Sequence, residues 1–76
     1  MEINEFVSNF GQQFEETDTS TFSPATEFRS VEEWDSLVAM AIIGMADDIY
    51  HVKLTGNDIR DSKTIEDIFN IIKSKS

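Results

Sequence analysis

The sequence predicts a small all-α fold, an irregular four-helix bundle with a long loop between its first and second helices. Three observations predict it. Apolar residues recur at three- and four-residue spacing near both ends of the chain, no segment has the pattern of a strand, and a polar stretch around the one proline separates the first helical pattern from the second. The 76 residues have the size of one domain, which would span 1–76.

The first helix is predicted from apolar residues that share one face over roughly four turns: Ile3, Phe6, Val7, Phe10 and Phe14. From residue 16 to residue 34 neither a helical nor a strand period persists, which predicts a long loop. Loops of this length are uncommon unless they are functional or tied down. The apolar side chains expected to tie this one to the core are Phe22, Phe28, Val31 and Trp34.

Three further helices are predicted from their start signals. The second should run from Ser36 to about His51, and a short third helix should form in segment 55–61. Thr64 followed by Asp67 resembles a capping box, which would start the fourth helix. The core expected from these helices consists of Phe6, Phe10, Ile42, Ile68, Phe69 and Ile72.

The charge and composition of the chain limit the classes of partner and site that it can have. Fifteen acidic side chains against six basic ones give a formal net charge of -9, which opposes binding to nucleic acid or to an anionic membrane and suits a basic protein partner. Without cysteine, the chain forms neither a disulfide nor a thiolate metal site. The first residues lack a signal-peptide pattern, and no apolar run approaches the ~20 residues of a membrane span. We expect a soluble, monomeric, cytoplasmic protein.

The most informative motif is Asp35-Ser36-Leu37, because it places a serine hydroxyl at a helix start. As an N-cap, Asp35 accepts hydrogen bonds from backbone N–H groups two and three residues further on, which makes Ser36 the first helical residue. Free N–H groups and the positive end of the helix dipole favour an anion there. The motif therefore predicts a site where a phosphodiester on Ser36 would be held by the backbone.

Catalytic and metal chemistry are not predicted. Ser36 and His51 would lie at opposite ends of one helix, about 22 Å apart at 1.5 Å per residue, so no proton could pass between them. The pair Asp47-Asp48 lacks the alternating oxygen ligands of a calcium loop, and neither a second histidine nor a cysteine is present to complete a transition-metal site.

Over nearly its whole length the chain resembles the acyl carrier proteins and the related peptidyl and aminoacyl carrier domains. The resemblance rests on Asp35-Ser36-Leu37, the length, the acidity, the long polar loop and segment 26–34. It implies that Ser36 carries 4'-phosphopantetheine, which a phosphopantetheinyl transferase attaches from coenzyme A. The thiol of this group would hold acyl or aminoacyl groups as thioesters. Asp35 would aid recognition by the transferase, and Leu37 would contact partners beside the prosthetic group.

The resemblance also implies the partners. Besides the transferase, they are an acyl- or aminoacyl-loading enzyme and the downstream synthases. The chain itself would catalyse nothing and would act as a discrete carrier that moves its cargo among separate enzymes.

The second helix differs from that of carrier proteins of fatty acid synthesis. Where those proteins usually have acidic residues, just after the Ser-Leu pair and three positions later, this chain has Val38 and Ala41. Residues 37–46 carry no charge, and a helix that is apolar all round is either buried or meets a partner. Three short helices cannot cover every side of it. The predicted partner surface, completed by two acidic residues, comprises Leu37, Val38, Ala41, Met45, Asp47 and Asp48.

These differences, together with Glu33 at a position where many carrier proteins have glycine, favour a specialised biosynthetic pathway with an aminoacyl or unusual acyl cargo. Two alternatives remain open. One is an acyl carrier protein of primary fatty acid synthesis. The other is an unmodified acidic helical adaptor, or an inhibitor that mimics the charge of nucleic acid.

Overall fold

Within residues 2–76, four α-helices form the small all-α fold that the sequence predicts. The computed structural model of the chain describes residues 2–76, so residue 1 of the predicted domain lies outside the described residues. The helices are α1 (Ile3–Gly11), α2 (Ser36–Tyr50), α3 (Gly56–Arg60) and α4 (Ile65–Lys75). Within residues 2–76 the extended backbone pairs only at an isolated bridge between Glu27 and Thr64.

The first helix is shorter than the predicted four turns. It ends at Gly11, after nine residues or about two and a half turns. A Cβ atom at Gly11 would lie 3.1 Å from both Cβ and Oγ1 of Thr19, so glycine here allows the loop to pack closely against α1. Phe14 is still buried, because a turn replaces the last helical turn and the Phe14 N–H donates to the Gly11 carbonyl at 3.0 Å.

The predicted start signals of the other helices are confirmed. Asp35 caps α2, and Thr64 forms a capping box with Asp67 at the start of α4. At the other end of α2, His51 adopts the left-handed conformation with a φ of 58°, and its N–H donates to carbonyls of the last turn. This is a common way for a helix to end.

The core lies where α1, α2 and α4 meet. All six residues that the sequence predicts for it are buried. The Phe6 ring is at its centre, with its centroid 6.0 Å from that of Phe10, 5.7 Å from that of Tyr50 and 5.6 Å from that of Phe69. Aromatic packing of this kind stabilises the fold beyond the area it buries.

The loop between α1 and α2 is tied to this core, as predicted. It contains two short 3-10 turns, Thr19–Thr21 and Phe28–Ser30. Phe28 is fully buried, and the Trp34 ring lies 4.6 Å from the Phe28 ring. Trp34 also stacks parallel to Phe10 at 6.5 Å. Trp34 is thus a packing residue that brings the end of the loop, and with it the start of α2, to a fixed position.

Hydrogen bonds attach the loop to the remaining helices. The Arg29 guanidinium donates to the carbonyls of Ile59 and Arg60 at 2.7 and 2.6 Å, which satisfies acceptors at the end of α3. The first two N–H groups of α4 donate to loop carbonyls, that of Ile65 to Thr26 at 3.1 Å and that of Glu66 to Pro24 at 2.9 Å. The loop is therefore hydrogen-bonded to both α3 and α4.

Candidate functional site

Ser36 is exposed at the first position of α2. The Asp35 carboxylate accepts the Val38 N–H at 2.9 Å, and the Asp35 carbonyl accepts the Ala39 N–H at 3.0 Å. The N–H groups of Ser36 and Leu37 have no acceptor within residues 2–76. Two free donors and the positive end of the helix dipole therefore flank an accessible hydroxyl, an arrangement that favours a negatively charged substituent.

Glu33 fixes the segment that leads into Ser36. Its carboxylate accepts the N–H groups of Glu15 and Glu16 at 2.7 and 3.0 Å and the Thr17 hydroxyl at 2.6 Å. The Thr17 hydroxyl, followed by these N–H groups, lowers the pKa of Glu33 below its ordinary value of 4.5. Glu33 thus holds the beginning of the loop against its end.

Acidification is expected to remove the stabilising hydrogen bonds of the Glu33 carboxylate. A carboxylate with a lowered pKa in the folded chain stabilises the fold above its unfolded pKa, and this contribution is lost as the pH falls through the folded pKa. The pKa values of Asp18, Asp58 and Asp67 are also lowered by hydrogen bonds, led for Asp58 by the one from Lys75. We expect the melting temperature to fall progressively once the pH drops below about 4.5, the ordinary value for Glu33.

The variant Glu33→Gln tests the contribution of the Glu33 carboxylate separately from those of the three aspartates. It should melt below wild type at pH 7, because the amide has one acceptor oxygen and no charge. It should then lose less stability on acidification, since the titrating group is gone. Glu32→Gln is the matched control, because Glu32 accepts no hydrogen bond within residues 2–76. Parallel pH curves for Glu33→Gln and wild type would contradict the role of Glu33.

The exposed face of α2 differs from the predicted one. The prediction that Val38 and Met45 lie at the surface is wrong, because they are only 8% and 5% exposed. At 100° per residue both lie about a quarter turn from Leu37, at the edge of the buried face of α2. The most exposed apolar side chains are Leu37 and Met40, at 73% and 67%. With the half-buried Ala41 and the exposed Gly44 they form what we call the apolar strip: Leu37, Met40, Ala41 and Gly44.

Acidic residues follow the apolar strip. Asp47 and Asp48 are exposed in the last turns of α2. Asp47 lies 3.5 Å from the Lys53 Nζ in an exposed ion pair, a type that contributes little to stability. Their role as partner contacts stays a prediction. Nowhere in residues 2–76 do three or more histidine, aspartate or glutamate side chains cluster so that they could hold a metal ion.

A surface groove also runs along α2 from the Ser36 end, and we call it the α2 groove. It consists of two adjoining hollows of about 300 and 440 Å³. The first is lined by Asp35 and Leu37 but not by Ser36, and the second continues to residues 47–49. Both are lined by Gln13 and Ala41, so the turn after α1 forms the wall opposite α2.

The sequence predicts Ser36, Asp35 and Leu37 as candidate site residues, but it does not single out Met40, Gly44 or Gln13. Met40 could have been found from the helical stripe that begins at Leu37. The position of Gln13 could not, because it depends on where α1 ends. His51 lies beyond the end of α2 opposite Ser36, so the structure does not bring the two together.

No protein-family model, no curated protein and no solved structure matches this chain. Among residues 2–76, no helix has both the length and the apolar character needed to cross a membrane. The features of this chain that bear on its function are therefore the geometry around Ser36 and the surface of α2.

Proposed function

We propose that the protein is a discrete carrier protein that holds acyl or aminoacyl groups as thioesters on 4'-phosphopantetheine attached to Ser36, in a specialised biosynthetic pathway. One observation carries the proposal. Ser36 is exposed at the start of α2, with Asp35 capping the helix before it and a largely exposed Leu37 after it. Such a serine is accessible to another enzyme, and its surroundings favour a phosphodiester.

The residues near Ser36 fit the attached group but do not supply the chemistry of attachment. The Asp35 carboxylate is engaged by the Val38 N–H, and the chain's one histidine is at the far end of α2. The base that deprotonates the serine must therefore come from the transferase. The free N–H groups of Ser36 and Leu37 are placed to bind phosphate oxygens. When attached, the prosthetic group supplies the thiol that holds the cargo.

The test is the intact mass of the protein after exposure to coenzyme A and a broad-range phosphopantetheinyl transferase. We expect the gain of one phosphopantetheine. Loading of the product with malonyl groups and elongation by fatty acid synthase enzymes would instead favour a carrier of primary fatty acid synthesis. Detection of the unmodified form alone in native cells, or no mass gain, would favour an unmodified adaptor.

The apolar strip supports a partner that docks mainly by burying apolar surface. Carrier proteins of fatty acid synthesis present acidic residues at the positions of Val38 and Ala41, whereas the charges of α2 here are confined to its last turns, at Asp47 and Asp48. A partner that fits this face has an apolar patch with a basic rim, since the chain carries a net charge of -9.

Met40→Asp should weaken docking of the loading enzyme to holo-protein by about 10-fold to 100-fold. Burying one methionine side chain contributes about 1.5–3 kcal/mol to binding, and the aspartate variant loses this contribution. Ile49→Asp is the matched control, because Ile49 is an exposed apolar residue of α2 outside the strip. The measurement is a binding titration across a salt series, with a shallow salt dependence expected.

A steep fall in affinity with salt, together with no effect of Met40→Asp, would mean that Asp47, Asp48 and the other acids govern docking. Val38 is unsuitable for this test. It is buried, so an aspartate there would destabilise the fold rather than report on docking.

A further inference from the structure

Met40 combines three properties that no other residue of α2 shares. Its side chain is 67% exposed, it belongs to the apolar strip, and it carries an oxidisable sulfur atom. We propose that Met40 is an oxidation site. A hydroperoxide such as hydrogen peroxide converts its thioether to the sulfoxide, which weakens docking of the enzymes that act on Ser36. The effect on these enzymes rests on the proposed function, whereas the oxidation itself does not.

The fold makes the oxidation selective. Met45 is only 5% exposed and belongs to the core. The chain has no cysteine, so the sulfur atoms of residues 2–76 are those of Met40 and Met45. A hydroperoxide in solution reaches the Met40 sulfur directly, because susceptibility to oxidation follows exposure. It reaches the Met45 sulfur only when the fold opens.

Met40 also lies next to the proposed attachment site. It is four residues after Ser36 in the same helix, and residues at this spacing are neighbours with about 5–6 Å between their Cβ atoms. Side chains of a helix lean towards its N-terminus, so the Met40 thioether extends over the turn that presents the Ser36 hydroxyl. An enzyme whose active site reaches this hydroxyl therefore also covers Met40.

The oxidation transfers one oxygen atom and two electrons. The sulfur lone pair attacks one oxygen of hydrogen peroxide, so that an S–O bond forms and the O–O bond breaks. The hydroxide that leaves takes the proton of the new S–OH group and becomes water. The thioether is oxidised to the sulfoxide and the peroxide is reduced. Methionine sulfoxide reductases reverse the step with two electrons and two protons from a dithiol, and the oxygen leaves as water.

The sulfoxide weakens docking because its oxygen requires a hydrogen bond. The neighbouring side chains of the apolar strip, Leu37, Ala41 and Gly44, carry no donor. An enzyme that covers Met40 with an apolar patch has to bury this oxygen without a partner, which costs about 10-fold in affinity. The fold itself is unaffected, since the Met40 side chain is in solvent. Oxidant would therefore reduce docking at Ser36 without unfolding the chain.

The first measurement is the site of oxidation in the unmodified protein. The protein is treated with hydrogen peroxide, digested with trypsin and analysed by mass spectrometry. Met40 and Met45 lie in one tryptic peptide, 30–53, whose fragment ions separate them, and Met1 lies in another. Met40 should gain one oxygen atom severalfold faster than Met45, and the melting temperature should not change. Equal rates for the two residues would overturn the proposal.

The second measurement is the kinetics of a broad-range phosphopantetheinyl transferase, with the oxidised protein as substrate after the peroxide has been removed. The KM for oxidised wild type should rise about 10-fold with kcat unchanged, because docking is weakened and the Ser36 hydroxyl is intact. Met40→Leu keeps the apolar surface but lacks the sulfur, so peroxide should leave its KM unchanged.

Met45→Leu is the matched control. It retains Met40 and exchanges two side chains of similar volume in the core, so its KM should respond to peroxide as that of the wild type does. The proposal is overturned if oxidised wild type keeps its original KM. It is also overturned if peroxide raises the KM of Met40→Leu as much as that of the wild type.

Failure of this proposal is distinguishable from failure of the proposed function. If the transferase adds nothing to untreated wild type, the proposed function fails. The oxidation site is then decided by retention on a phenyl-agarose column, which reports the apolar surface without any partner. Oxidised wild type should elute earlier than untreated wild type, whereas Met40→Leu should elute at one position before and after treatment. Unchanged elution of the wild type would overturn the proposal.

Discussion

Replacement of Ser36 by alanine is expected to abolish attachment of the prosthetic group completely and to leave the fold unchanged. The Ser36 side chain makes no hydrogen bond within residues 2–76, and the α2 cap comes from Asp35. Alanine is also a good helix former, so the melting temperature should stay at or slightly above the wild-type value. The measurement is intact mass after incubation with coenzyme A and the transferase, paired with a thermal melt of each protein.

Ser30→Ala is the matched control for this experiment. Ser30 is also exposed and polar, and its hydroxyl donates to the Glu27 carbonyl at 2.7 Å. This variant should be loaded as fully as the wild type. Ser62 is buried and offers the transferase no access. Modification mapped to Ser20, Ser30 or Ser62, or retained in Ser36→Ala, would refute the assignment of Ser36.

The local signals in the sequence predict much of this fold. Asp35 and Thr64 cap helices through bonds to residues three positions away, so both the signal and its partner lie in one short segment. The start of α2, and therefore the position of Ser36, depends on such local bonds. The position of Ser36 at the start of α2 is therefore predictable from the sequence alone.

Long-range contacts are the part that the sequence does not reveal. Gly11 packs against Thr19, and Glu33 binds residues 15–17 across the loop. Each contact depends on how the loop folds back, and no short-range pattern encodes it. Beside these contacts α1 ends at Gly11, and Gln13 in the turn that follows lines the groove opposite α2.

The exposed side of α2 illustrates a different limit. Residues 37–46 are apolar all round, so periodicity cannot tell the buried side from the exposed one. The buried residues Ile42 and Ala46 fix the orientation, and Leu37 and Met40 then fall on the solvent side. The prediction that some apolar surface of α2 stays uncovered was right, whereas the residues Val38 and Met45 chosen for it were wrong.

Truncation of Phe10 to alanine is expected to unfold most of the protein. Phe10 is fully buried, and its ring centroid lies within 6.0 Å of those of Phe6, Phe14 and Phe28. It also stacks against Trp34. The side chain therefore joins α1 to the loop that leads into α2. Its loss should cost about 3–5 kcal/mol, the usual range for removing a buried phenylalanine.

This cost decides the state of the variant, because a core of this size gives a net stability of only about 3–5 kcal/mol. Chemical denaturation followed by far-ultraviolet circular dichroism measures it. Phe22→Ala is the matched control, since Phe22 is a half-buried loop residue that contacts Phe14 with a ring separation of 5.2 Å. It should lose less stability and still unfold cooperatively.

A Phe10→Ala transition that matches the wild type would mean that the inner face of α1 contributes little to the core. Because Trp34 directly precedes the Asp35 cap, we also expect Phe10→Ala to be loaded poorly at Ser36 under conditions in which Phe22→Ala is loaded fully.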